Sequence, residues 1–178
     1  PKKNQKYYSE KIIYLPDTYQ VNDSKRKISD KVFTRKELSL PKDSFVFCCF
    51  NQSSKINPEI FYIWMNLLKS INNSVLWILP ENETTVKNLR KEATIRNVNP
   101  DRIKFAKRMK MSEHLARHKL ADLFIDTFPY AAHTTCSDAL WAGLPVITRL
   151  GQSFASRVGA SLLNAVGLKE LITKTEKE

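Results

Sequence analysis

From residue 44 onward the chain alternates between two hydrophobic rhythms. Short unbroken apolar runs, FVFCCF (45–50), SVLWILP (74–80), RIKFAKR (102–108), DLFIDTF (122–128) and LPVITRLG (144–151), read as strands buried on both faces. Between them the apolar residues take helical spacing. Ile60, Ile63, Trp64, Leu67, Leu68 and Ile71 describe one helical face, with Asn57 as its cap and Pro58 at its first position. A basic helix over 84–97 carries a narrow stripe through Val86, Leu89, Ala93 and either Ile95 or Arg96. Ser112 is placed to cap a short helix over 111–121. Two more helices, 133–143 and 153–167, each end on a glycine, Gly143 and Gly167, the residue type expected just past a helix end.

Strictly alternating strands and helices predict an α/β fold, a Rossmann-like parallel sheet with helices on both faces. The domain spans residues 43–178. Residues 1–42, with Pro16 and a polar SKRKISDK loop, read as a connector arriving from a preceding, absent lobe. In such folds ligands sit at the carboxyl ends of strands, facing helix N-termini. Three loops therefore carry the candidate chemistry: NQSSK (51–55), KRMKMSEH (107–114) and TFPYAAHTT (127–135).

Composition narrows the possibilities without choosing among them. At 178 residues, 42% hydrophobic and 26% charged, the chain can bury a core of ordinary size. No run of 18 apolar residues exists to span a membrane, and no leader with an apolar core is present. The net charge of +11 lies in two blocks: +6 over residues 1–42 and +8 over 85–119. A nucleic-acid surface and a solvated lysine-rich surface both account for such blocks. The three cysteines, Cys48, Cys49 and Cys136, lack any Cys-x-x-Cys spacing, and the three histidines add no ligand pattern. A reduced, cytoplasmic protein without a metal is the expectation.

The loops themselves leave alternatives open. A helix starting near His133 offers unpaired N–H groups to an anion, and His133, Thr134 and Thr135 add side-chain donors. The same residues also fit a plain cap, with Thr135-x-x-Asp138 at capping-box spacing. Lys55 and Gln52, after the first strand, suit a phosphate oxygen or an ordinary exposed loop. His114 and Arg117 lie three apart on one helix; they can hold a flat base together or be merely wet.

The segments FNQSSKI, MSEHLARHKLADLFIDTFPY, AHTTCSDALWAGLPVIT and SFASRVGASLL resemble the carboxy-terminal half of the protein O-linked N-acetylglucosamine transferases, including the SPINDLY-type enzymes, over residues 8–175. The resemblance implies the second lobe of a GT-B glycosyltransferase. Such an enzyme transfers N-acetylglucosamine from UDP-GlcNAc to Ser/Thr hydroxyls of proteins with inversion, without a metal or other cofactor. Carried over by position, Lys55 is the catalytic cation that meets charge on departing UDP, and Gln52 contacts the diphosphate. His133, Thr134 and Thr135 bind it at the helix start, His114 and Arg117 hold the uracil, and Asp138 accepts from the ribose hydroxyls. Met111 departs from the pattern, standing where the animal enzymes carry a Lys. The partners implied are a UDP-sugar and a protein acceptor reached through an absent amino-terminal lobe and helical repeats, with no membrane. The chain alone is expected to bind UDP weakly and not to catalyse transfer. A related transferase using GDP-fucose, and a non-enzymatic basic domain that binds nucleic acid, are the alternative readings.

Overall fold

The computed structural model describes residues 2–178. Six strands form one sheet: β1 (Phe45–Cys49), β2 (Ser74–Ile78), β3 (Ile103–Phe105), β4 (Leu123–Ile125), β5 (Val146–Arg149) and β6 (Ile172–Thr173). Their spatial order is β3-β2-β1-β4-β5-β6, and every pairing is parallel. The expected α/β class, with its parallel sheet, is the one found. The first five strands fall inside the five apolar runs. β6 has only two residues, both half-buried, and so no run long enough to announce it.

Helices α1 (Pro58–Ser70), α2 (Glu83–Ile95), α3 (Met111–Arg117), α4 (Thr134–Trp141) and α5 (Val158–Ala165) connect the strands. The chain steps from β1 out to β3, returns to β4 and then runs the other way. Right-handed crossovers therefore put α1 and α2 on one face and α3, α4 and α5 on the other. Contacts of α4 with both α3 and α5 agree with this. Val46 to Cys49 and all of β2 are buried, which is why these strands lack polar alternation. All three cysteines are buried free thiols, and burial pushes their pKa values up, as expected of small hydrophobes.

Asn57 caps α1, its Oδ1 accepting from Ile60 N at 2.9 Å, and Asn82 caps α2 in the same way. The buried face of α1 is turned from the expected stripe. Ile60, Trp64 and Leu68 are shared, but Phe61 and Met65 complete it, while Ile63 and Leu67 are half-buried and Ile71 is exposed. On α2, Leu89 and Ala93 are buried, and Arg96 rather than Ile95 continues the stripe, its guanidinium 5.6 Å from the Phe61 ring. Ser112 is not a cap: Lys110 holds that position without a side-chain bond. Gly143 and Gly167 close α4 and α5 at φ of +82° and +83°, where a side chain would be strained.

Residues 8–44 form no helix or strand. They are nonetheless tied to the domain: Phe33 and Leu40 are buried, and Arg35 Nη2 donates to Asp122 Oδ2 at 2.9 Å.

Candidate functional site

The strand order reverses between β1 and β4. Their following loops run in opposite directions, so a crevice opens beyond their carboxyl ends. Asn51 and Asp126 emerge there. The buried Asp126 carboxylate accepts from Thr127 N, Ala132 N and Thr148 Oγ1, each at 2.7 Å, and from Asn51 Nδ2 at 3.1 Å. Burial raises its pKa, and these four donors oppose the rise. Asn51 Nδ2 also donates to Thr127 Oγ1 at 2.8 Å, and Asn51 Oδ1 accepts from the Thr135 hydroxyl. Lys55 Nζ donates to Ala131 O at 3.1 Å and lies 4.1 Å from the centre of the Tyr130 ring. Asn57 Nδ2 reaches Phe128 O at 2.7 Å. The turn after β1 and the corner that opens α4 thus form one hydrogen-bonded unit, as the sequence reading requires of a pyrophosphate site.

The fold makes this tight packing possible at Gly159, in the first turn of α5. A Cβ there would lie 2.8 Å from Thr148 Oγ1 and 2.9 Å from Asp126 Oδ2. Gly159→Ala is expected to lower stability by about 1–3 kcal/mol, read as a shifted urea midpoint at constant slope.

No side chain caps α4. The capping-box alternative is not realised, because Thr135 is bonded to Asn51 and Asp138 to Arg26. The N–H groups of the first turn have no intrahelical acceptor and remain available to a ligand. Thr134 is exposed at this end, and Gln52 is exposed on the facing turn. His133, half-buried at the helix start, is stacked on Tyr130 with ring centres 5.3 Å apart. Its Nε2 lies 3.3 Å from Ala155 O and its Nδ1 3.2 Å from the Tyr19 hydroxyl. Those partners fit a neutral ring that donates from Nε2 and accepts at Nδ1. Burial lowers its pKa, opposed by the bond to Ala155 and aided by the Lys55 charge. Burial likewise lowers the pKa of Lys55, against the pull of Asp126.

At α3 the geometry departs from both sequence alternatives. Arg117 is neither wet nor open to a flat ligand; it is 1% exposed. Its guanidinium lies 4.5 Å from the Phe50 ring centre, and Nη1 donates to Lys107 O at 2.6 Å while Nη2 bonds His114 Nδ1. An arginine can be buried this way because aromatic faces and a carbonyl replace its hydration. His114 is half-buried, and its pKa is pushed down to about 3 by burial first and then by the charge of Arg117. His118, wholly buried and bonded to His114 O at 2.8 Å, is pushed down to about 4, again mainly by burial. Both rings stay neutral in the native state but take up protons near pH 6.5 once unfolded. Their stabilising contribution is therefore complete above pH 6.5 and declines as the pH falls through that value toward 4. Urea unfolding at pH 5.5 is expected to give a stability about 2 kcal/mol below that at pH 7.5, and His118→Asn should reduce the difference.

Asp138 is buried and held by Arg26 Nη1 at 2.6 Å; Arg26 Nη2 lies 3.4 Å from Met111 Sδ. Of the basic block over 85–119, several members are engaged within the domain. Arg102 donates to Ser74 O and Ile71 O, Arg96 pairs with Glu92, and Arg117 is buried. Among the described residues no group of three or more His, Cys, Asp or Glu side chains is placed to hold a metal ion. Nor is any described helix long and apolar enough to cross a membrane.

The domain is Rossmann-like and places a cation and an uncapped helix at its switch point. Comparison with known proteins gives the family. The sequence model of glycosyl transferase family 41 matches residues 28–178, and the chain belongs to that family. It is 43% identical over 166 residues, 90% of its length, to the probable UDP-N-acetylglucosamine–peptide N-acetylglucosaminyltransferase SEC of Arabidopsis thaliana. It is 39% identical over 145 residues, 82% of its length, to the UDP-N-acetylglucosamine–peptide N-acetylglucosaminyltransferase of Caenorhabditis elegans. The chain spans 17% and 13% of those relatives' own lengths. A solved structure of a mutant Thermobaculum terrenum O-GlcNAc transferase superposes with a TM-score of 0.73 at 33% identity, covering 75% of this chain and 26% of that one.

Proposed function

We infer that this chain is the donor-holding lobe of an inverting glycosyltransferase that moves N-acetylglucosamine from UDP-GlcNAc to Ser/Thr hydroxyls of proteins. The observation that carries the reading is the junction of Lys55, Asn51 and Thr135 at the head of α4. In the reaction the acceptor oxygen bonds to the anomeric carbon, and the bond from that carbon to the phosphate oxygen breaks. UDP leaves with the electron pair, and the acceptor hydroxyl loses its proton. The negative charge gathering on UDP calls for fixed positive groups already in position. Lys55, the first-turn N–H groups of α4 and the hydroxyl of Thr134 supply them, while Thr135 ties the helix head to Asn51, so the proposed step uses no metal ion. Gln52 is the further amide donor on the facing turn. His114 offers a neutral ring to the base, with Arg117 behind it rather than beside it. The acceptor protein is expected to approach through a second lobe, so this chain by itself should bind UDP weakly without turnover.

Isothermal titration of the chain with UDP, GDP and a short DNA tests the reading. Saturable UDP binding that outcompetes GDP supports it. Preference for GDP selects the GDP-sugar alternative. DNA binding that falls steeply with salt and ignores UDP selects a nucleic-acid domain instead.

A further inference from the structure

Residues 18–29, ahead of the sheet, run along the lip that α3 and α4 form. The Tyr19 hydroxyl meets His133, and Asn22 Oδ1 accepts from Ser137 Oγ at 2.6 Å. Trp141 Nε1 donates to Arg26 O at 3.2 Å, and Ser29 N donates to Ser112 O at 3.0 Å. These bonds fix the backbone on either side of Arg26, whose side chain turns in to Asp138. The Asp138 side chain is 4% exposed and that of Arg26 is 19% exposed, so the pair is shielded from water and from salt. Asp138 lies four residues into α4, about 6 Å along the axis from the end that faces the crevice. An uncompensated carboxylate at that depth opposes any anion at the helix head. Arg26 cancels it. The guanidinium carries five N–H groups, and the protein engages it with one strong acceptor, Asp138, and one weak one, the Met111 thioether.

We propose that Arg26 is a positioning residue of the nucleoside diphosphate site: it neutralises Asp138, so that an anion can settle at the head of α4. The proposal rests on the donor-site reading above and adds a residue from outside the Rossmann-like fold to it. A compensating charge matters for an anionic ligand and little for a neutral one. UDP and uridine therefore separate this role from that of a merely structural strap.

Titration of the chain at low and moderate salt with both ligands decides the matter. Arg26→Ala is expected to weaken UDP binding about 10-fold or more and uridine binding by less than about 3-fold. Arg26→Lys should recover part of the UDP loss. In an Asp138→Asn background, where no carboxylate is left to neutralise, adding Arg26→Ala should cost UDP little further. If Arg26→Ala does not fold, Arg26→Gln, which keeps most of the length without the charge, carries the same comparison. Equal losses for UDP and uridine, or tighter UDP binding in the variant, overturn the proposal while leaving the donor-site reading intact. A wild-type chain that binds no UDP overturns the reading itself and the proposal with it.

Discussion

Asp126→Ala is expected to destabilise the chain by about 3–5 kcal/mol, the range for breaking a buried charged network from one side. The carboxylate is the common acceptor for two backbone N–H groups, a threonine hydroxyl and an asparagine amide. Truncation leaves a small cavity in which two N–H groups and the Thr148 hydroxyl lose this acceptor outright, while the Asn51 amide keeps only its bond to Thr127 Oγ1. Each unsatisfied buried donor costs about 1–3 kcal/mol, less whatever relaxation recovers. For a chain of this size that loss lowers the thermal midpoint by roughly 10 °C. Asp126→Asn keeps the volume and one acceptor oxygen but turns an amide NH₂ toward groups that are themselves donors, so it should fall between wild type and alanine. Calorimetric or circular-dichroism melts measure both. A midpoint for Asp126→Ala within about 2 °C of wild type would mean that the network does not hold the two loops together. The consequence reaches the site, because Asp126 fixes Ala132 N and Asn51, and through Asn51 the Thr135 hydroxyl at the head of α4.

The sheet was legible because burial on both faces leaves an unmistakable trace: five apolar runs with helical spacing between them. The order of strands was legible only as a class, since no local pattern says that β4 returns to the far side of β1. The helix caps divided on the same principle. Asn57 and Asn82 cap locally, each accepting from a backbone N–H three residues on, and Asn57 can be read from spacing. Thr135 also sits at cap spacing, but a partner 84 positions away takes its hydroxyl. Arg117 shows how a charge misleads. A cation on a short amphipathic helix reads as wet or ligand-facing, and only the assembled core reveals Phe50, Trp77 and Lys107 O waiting for it. Asp126 could have been suspected from sequence, as an acid inside the DLFIDTF run that needs buried partners. Arg26 could not: one of four basic residues between 25 and 31, it is set apart only by a contact 112 positions away.

Lys55→Ala is expected to weaken UDP binding roughly 10- to 100-fold, the equivalent of losing charge-assisted bonds worth about 1.5–3 kcal/mol. Nothing in the native packing depends heavily on this side chain. It makes one bond to Ala131 O and rests on the exposed Tyr130 ring, so the thermal midpoint should move by only a degree or two. The loss should fall on the phosphates, with uridine affinity unchanged, since Lys55 lies on the β1 turn whereas His114 lies on α3. Lys55→Arg should not restore binding, because a planar fork cannot occupy the place of a compact ammonium between the Tyr130 ring and Ala131 O. The dependence on pH has a definite sign. Burial lowers the Lys55 pKa from its ordinary 10.5, so the cation is lost on the alkaline side sooner than for a free lysine. UDP affinity should accordingly decline as the pH climbs toward that lowered value, and Lys55→Ala should abolish the decline. Titrations from pH 7 up to the ordinary lysine value of 10.5 with wild type and Lys55→Ala measure this directly; parallel curves over that whole span would remove Lys55 from the diphosphate site.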